Sequence, residues 1–172
     1  RAEFLTQFPS ARGYETVAAL DDPADPATFE RSRIDGAERQ RHRPVYELHR
    51  DLLRLRRERA AFRVHARGAV DGAVLSEQAF VLRYMKSGEE DRLLVVNLGR
   101  ELHRRSIADP LVAPPRGFDW AVEWSSEAPA YGGAGTPNIW PEDQWVIPAD
   151  IALVLAPAAP RERPRTVRRR TA

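Results

Sequence analysis

The sequence predicts a mainly β protein, an antiparallel β-sandwich preceded by a proline-broken loop and one amphipathic helix. Three observations carry this. Residues 1–36 hold Pro9, Gly13, Pro23, Pro26 and Gly36, a density that prevents a long regular element. Apolar residues then recur at three- and four-residue steps up to Leu55. Beyond Gly68 the period changes to two, in short runs divided by Pro and Gly loops.

The opening loop carries Phe4, Phe8, Tyr14 and Phe29, aromatics suited to wrapping another surface, and Asp25 to Asp35 reads as its last stretch. Asp35 followed by Glu38 matches a capping-box start, so a helix begins there. Val45, Leu48, Leu52 and Leu55, flanked by Tyr46, His49 and Leu53, form its apolar stripe, with Arg50, Arg54, Arg57 and Glu58 opposite. Pro44 lacks an amide donor and predicts two helical pieces or one bent helix. A helix with an apolar face needs a surface to cover, so this one reads as the last piece of a larger domain.

Phe80, Leu82 and Tyr84 alternate with Val81, Arg83 and Met85, a turn around Gly88 follows, and Leu93–Leu98 returns as the partner strand. The unbroken run Leu93-Leu94-Val95-Val96 predicts a central strand buried on both faces. Trp120–Trp124 alternates again, placing both tryptophans on one face, and Ile151–Leu155 forms a final strand. These runs divide the chain into 1–59, loop and helix, 60–157, the sandwich, and 158–172, a disordered arginine-rich tail.

Composition excludes several function classes. There is no cysteine, hence no disulfide, thiolate metal site or cysteine nucleophile, which fits a cytoplasmic protein. No apolar run is long enough for a membrane span, and no signal peptide is indicated. Of 27 basic and 25 acidic residues, six arginines and one glutamate lie in 161–172; the remainder holds 21 basic and 24 acidic, a net of −3. A solubilising tail explains the high pI, and without interleaved aromatics the tail does not predict a nucleic-acid site.

Candidate chemistry is sparse. His42 and His49 are seven residues apart, not four, and with His65 and His103 they complete no metal signature, so no metal or other cofactor is expected. Ser76, Ser87, Ser125 and Ser126 occupy no nucleophile elbow. The glycine-rich Tyr131–Pro137 lacks the Gly-Lys-Ser/Thr ending of a phosphate loop and reads as a tight surface turn. Asp21, Asp22 and Asp25, or Glu89, Glu90 and Asp91, could serve glycoside cleavage only if held at fixed separation, and loop clusters are not. Trp120, Trp124, Trp140 and Trp145 crowd one stretch, where aromatic faces could stack on sugar rings. Core burial is the commoner fate of Trp120 and Trp124, and Trp140, in a proline-flanked loop, is the better exposed candidate.

Several separated segments resemble one family in its own order: Glu3–Ser10, Asp25–Ser32, His49–Arg56, Leu94–Gly99, Trp124–Glu127, Tyr131–Gly133 and Ile151–Leu155 are similar to bacterial malto-oligosyltrehalose trehalohydrolases. The resemblance spans about residues 1–157 and implies a catalytic (β/α)8 barrel followed by a C-terminal β-sandwich. Residues 1–59 would then be the end of a truncated barrel, with its final helix. The family's activity, hydrolysis of the α-1,4 bond next to the terminal trehalose of maltooligosyltrehalose, uses an Asp nucleophile, a Glu acid/base and a further Asp. No position here matches those motifs, so no catalytic residue carries over, and the chain alone is expected to be inactive. The resemblance implies that Phe4 and Phe8 approach the sugar rim, since loops after barrel strands lie on the active-site face. The expected partner is the barrel, and maltooligosyltrehalose through it. The other class of function the sequence allows is a free-standing α-glucan-binding or accessory β-sandwich module, which predicts exposed tryptophans.

Overall fold

The computed structural model describes residues 4, 7, 21, 22, 24–63, 66–141 and 144–160. The chain divides into two compact units, Arg1–Arg41 and His42–Ala172. In the first, α1 (Pro26–Ser32) replaces the loop expected from Asp25 onward. Asp25 caps it, its carboxylate accepting the Ala27 N–H at 2.9 Å, and Pro26 occupies the first turn, where an amide would have no partner anyway. Proline here starts a helix that the sequence reading took it to forbid, though at seven residues the helix is short. The Asp35 carboxylate likewise accepts the Ala37 N–H at 2.9 Å before α2 (Glu38–Arg41).

The second unit opens with α3 (Arg43–Glu58), so the helical stretch is interrupted at His42, with Pro44 tolerated in the first turn of α3. Among the described residues, seven strands follow, in two antiparallel sheets. β1 (Val70–Ser76), β2 (Ala79–Tyr84), β3 (Arg92–Asn97), β5 (Asp119–Ser125) and β7 (Ile151–Ala158) make one sheet, ordered β1-β2-β3-β7-β5. β4 (Leu102–Arg104) and β6 (Trp145–Ile147) pair in the other. The expected alternation in β2, the hairpin into β3 and the final apolar strand all form.

Three strands were not legible. β4 and β6 have three residues each, too few to show a period. β1 contains Asp71-Gly72, a turn signal by composition, yet Gly72 pairs with Leu82 in the sheet, where a Cβ would sit 2.7 Å from Leu82 Cδ2 and 3.2 Å from the Val81 carbonyl oxygen, so only glycine fits without a shift.

Val81, Leu93, Val95, Leu153 and Leu155 fill the inner face of the large sheet and meet Leu102 and Ile147 of the small sheet, with Val112, Trp120 and Ile139 closing the core. On β3, Leu93 and Val95 are buried and Leu94 and Val96 half-buried, so the central strand is covered on both faces but unequally. Asn97 ties the sheets together. Its side-chain amide donates toward the Arg100 and Pro148 carbonyls at 2.8 Å each and the Ile147 carbonyl at 3.3 Å, while its oxygen accepts the Gly99 N–H at 3.0 Å.

A β-bulge overturns one expectation. Val122 pairs with Leu155, and the next paired residue, Trp124, faces Val154, leaving Glu123 as an inserted residue. One extra residue reverses the alternation, so Trp120 and Trp124 serve opposite faces. Trp120 joins the core, its indole N–H donating to the Val112 carbonyl at 2.8 Å, while Trp124 turns to the outer face.

Asn97→Leu is expected to cost about 2–4 kcal/mol, because buried carbonyls and an amide lose their partner while volume is kept. Urea denaturation measures it, and a loss under about 0.5 kcal/mol would contradict the clamp role.

Candidate functional site

The outer face of the large sheet receives α3. Glu47, Leu48, Asp51 and Leu55 are its half-buried positions, whereas Val45 and Leu53 are 53% and 58% exposed, and Tyr46 and Leu52 are exposed as well. At 3.6 residues per turn, the covered arc is rotated by roughly a sixth of a turn from the centre of the apolar stripe. Leu48 and Leu55 thus behave as expected, but two carboxylates share their side, and the remaining apolar flank stays open.

Asp51 is the anchor. The Tyr131 hydroxyl donates to its Oδ2 at 2.8 Å, and the Trp124 indole N–H donates to the same hydroxyl at 3.1 Å. Its other oxygen, Oδ1, lies 3.2 Å from Arg54 Nη2 and 3.6 Å from Arg50 Nε, close enough for charge attraction but without hydrogen-bond alignment. Burial foremost, then the bond to Asp51, raises the Tyr131 phenol above its ordinary 10.0. A second latch holds the residue after α3: Arg59 Nε and Arg92 Nε bind the two carboxylate oxygens of Glu123, the latter at 2.6 Å. The bulge is what turns this carboxylate outward.

The turn carrying Tyr131 is built by the segments singled out for resemblance. Ser125 Oγ accepts the Glu127 N–H at 3.1 Å, and Ser126 Oγ accepts the Ala152 N–H at 3.1 Å, so these serines are structural. Gly132 has φ +89°, and a Cβ on Gly133 would fall 2.3–2.4 Å from the Glu127 backbone. Only glycine lets this turn close and present Tyr131 to the helix.

Between α3 and the sheet opens an apolar cleft of about 400 Å³, lined by Leu52, Leu55, Phe62, Tyr84, Leu94 and Val154 among others. On the core side, a groove of about 290 Å³ gathers Trp120, Trp140 and Trp145 with Arg105 and Asp119. Trp140 is half-buried and packs edge-to-face on Trp145, centroids 5.5 Å apart, so it is less exposed than its loop position suggested. Sequence reasoning saw the aromatic crowding but not that residues 105 and 119 would join it.

Of the residues expected at a sugar rim, Phe4 is exposed and Phe8 lies outside the described residues, as do His65 and the tail 161–172. Among the described acids, Asp21 pairs with Arg31 at 2.7 Å and Asp91 with Arg83 at 2.9 Å. His49 Nδ1 lies 2.8 Å from the Val45 carbonyl and His103 Nε2 2.5 Å from Glu101. Among the described residues no group of three His, Asp or Glu side chains could hold a metal ion, and no helix is long and apolar enough to cross a membrane.

Residues 67–143 match the family model of a domain of unknown function (DUF3459), which is found at the C-terminus of α-amylase-family glycoside hydrolases. The matched span takes in β1 to β5, the Tyr131 turn and Trp140. No curated protein matches the chain.

The latch gives a pH signature. A raised phenol pKa means that the folded state favours neutral Tyr131, so its contribution is fully present below 10.0 and is lost as pH rises through the raised value. Tyr131→Phe should cost about 1 kcal/mol at neutral pH. The difference from the parent chain should shrink above pH 10.0. Urea unfolding across that range checks it, and a gap that stays constant with pH counts against the latch.

Proposed function

We propose that the chain is the C-terminal portion of a malto-oligosyltrehalose trehalohydrolase, in which residues 1–59 belong to the end of the (β/α)8 barrel, 60–157 form the bracing sandwich and 158–172 a tail. The barrel supplies the carboxylates that hydrolyse the α-1,4 bond next to the terminal trehalose unit. This chain supplies packing. Phe4 and Phe8 approach the substrate rim from the barrel side, and the whole acts in the cytoplasm.

The observation that carries the reading is the helix with two used sides. One arc of α3 is latched to a sheet whose family match is the C-terminal domain of α-amylase-family enzymes, and the exposed apolar side chains of Val45 and Leu53 lie outside that arc. A contiguous apolar flank beside an apolar cleft of about 400 Å³ is the usual form of an interface between domains. Retaining glycoside cleavage needs two carboxylates about 5–5.5 Å apart across the bond. The half-buried carboxylates Asp51 and Glu123 and the buried Asp91 are each committed to arginine or tyrosine partners instead.

Mixed with a trehalohydrolase barrel lacking its C-terminal part, the purified chain is expected to restore trehalose release from maltooligosyltrehalose, and on its own to release none. Leu53→Asp should weaken that reconstitution at least about tenfold while leaving the chain folded, since Leu53 is exposed. Trehalose release by the isolated chain would overturn the proposal, as would a barrel whose activity the chain does not change.

A further inference from the structure

The end of α3 is strongly basic in a chain that is otherwise mildly acidic. Outside 161–172 the sequence carries a net of −3, yet residues 53–63 hold five arginines against Glu58. Arg54 and Arg59 are taken up by Asp51 and Glu123. Arg56, Arg57 and Arg63 are exposed and pair with no carboxylate among the described residues. These three line one open groove of about 520 Å³, whose apolar part is Leu53 and Phe62. The negative end of a helix favours arginine in its last turn, which accounts for Arg56 and Arg57. It does not account for Arg63, which lies beyond α3 in the short 3₁₀ turn Ala60–Arg63. The groove is also fixed in advance. Phe62 packs edge-to-face on Tyr84 of β2, centroids 4.8 Å apart, and its N–H donates to the Arg59 carbonyl at 3.2 Å. Arg59 is itself held by Glu123, and Ala61 is buried, so the latch that fixes α3 also sets the turn carrying Phe62 and Arg63.

We propose that this groove docks an acidic protein surface, one that sets a bulky apolar side chain between carboxylates. Guanidinium groups take carboxylates in a two-pronged fit, and arginine around an apolar centre is the usual anatomy of a protein contact. Like charges gathered without counter-charge repel one another, so an acidic partner relieves a repulsion that folding leaves in place. Because the turn is already held, little ordering entropy remains to be lost on docking. A nucleic acid would satisfy the arginines but would leave Leu53, 58% exposed, against a charged backbone. Phe62, half-buried and held on Tyr84, is not free to stack on a base. The inference deepens the proposed function and rests on it only for the partner's identity, since on that reading the acidic surface belongs to the barrel. The chemistry of the contact comes from the groove itself.

The test needs no barrel. A labelled peptide built of leucine and glutamate is titrated with the full 172-residue chain and followed by fluorescence anisotropy, beside the same peptide with glutamine for glutamate and a single-stranded oligonucleotide. Saturable binding of the acidic peptide is expected, weakening about tenfold between about 0.05 and 0.5 M salt as the exposed charges are screened. The glutamine peptide should bind at least about tenfold more weakly. Arg57→Gln combined with Arg63→Gln should reduce affinity for the acidic peptide about tenfold, and Leu53→Ala about threefold. All three residues are exposed, so the unfolding curves of both variants should match that of the parent chain. The arginines of 161–172 remain in every variant, so a loss of affinity assigns the contact to the groove. Absence of saturable binding, equal binding of the glutamine peptide, or an affinity unaltered by the arginine pair overturns the groove as an acidic docking site. An affinity unaltered by Leu53→Ala overturns the apolar anchor, and oligonucleotide binding that the arginine pair weakens equally overturns the protein partner. Failure of reconstitution with a barrel leaves these outcomes standing, and failure of the peptide leaves the packing role resting on apolar contact alone.

Discussion

A carboxylate on the inward arc of an amphipathic helix is a constraint from which much of this architecture follows. Asp51, with its side chain 16% exposed, must be met by donors where α3 approaches the sheet. Tyr131 meets it only because Gly132 and Gly133 let the turn fold tightly onto Glu127, and Trp124 in turn donates to Tyr131 only because the bulge at Glu123 brings it to that face. The same bulge delivers Glu123 to Arg59 and Arg92 and leaves Trp120 to the core. Removing the bulged residue would therefore disturb three contacts at once: helix latch, ion-pair bridge and core.

What the sequence revealed, and what it hid, divide along the range of the interactions involved. The hairpin from Phe80 to Leu98 and the strand at Ile151 were legible because alternation and apolar runs are local signals. The helix break was legible because Pro44 acts on its own backbone. Proline misled at Pro26, where the same missing donor starts a helix, since Asp25 supplies the cap. The side of Trp124 was not legible at all, because a bulge is a matter of register between two strands and neither strand announces it.

The candidate sites follow the same division. Crowding of four tryptophans in Trp120–Trp145 could be read directly, but the groove needs Arg105 and Asp119, which only tertiary structure brings beside them. Similarity to a family marked Trp124–Glu127, Tyr131–Gly133 and Asn97 without giving reasons. The structure supplies physical ones: serine hydroxyls that close a turn, glycines that admit a backbone contact, and one amide that joins two sheets. None of those reasons involves substrate. The marked segments are thus marks of architecture, and the sequence could not have separated architecture from chemistry by residue type alone.

The two sides of α3 use different physics, and the difference bears on how it works as a connector. Toward the sheet the contacts are largely directional: Asp51 with Tyr131, and Arg59 with Glu123 just beyond the helix end. Such contacts add little net stability but fix rotation and register, because a slip of one residue would leave charges without partners. Outside the latched arc, Val45 and Leu53 offer apolar area with no directional preference. Rotation fixed on one side means that the apolar flank on the other points in a set direction before any partner arrives. A surface ordered in advance leaves most of its burial free energy available for association, since the entropy of orienting it has already been lost on folding. A helix latched by apolar contacts alone could roll by a fraction of a turn and bury that flank against its own sheet; the carboxylate at position 51 opposes that roll.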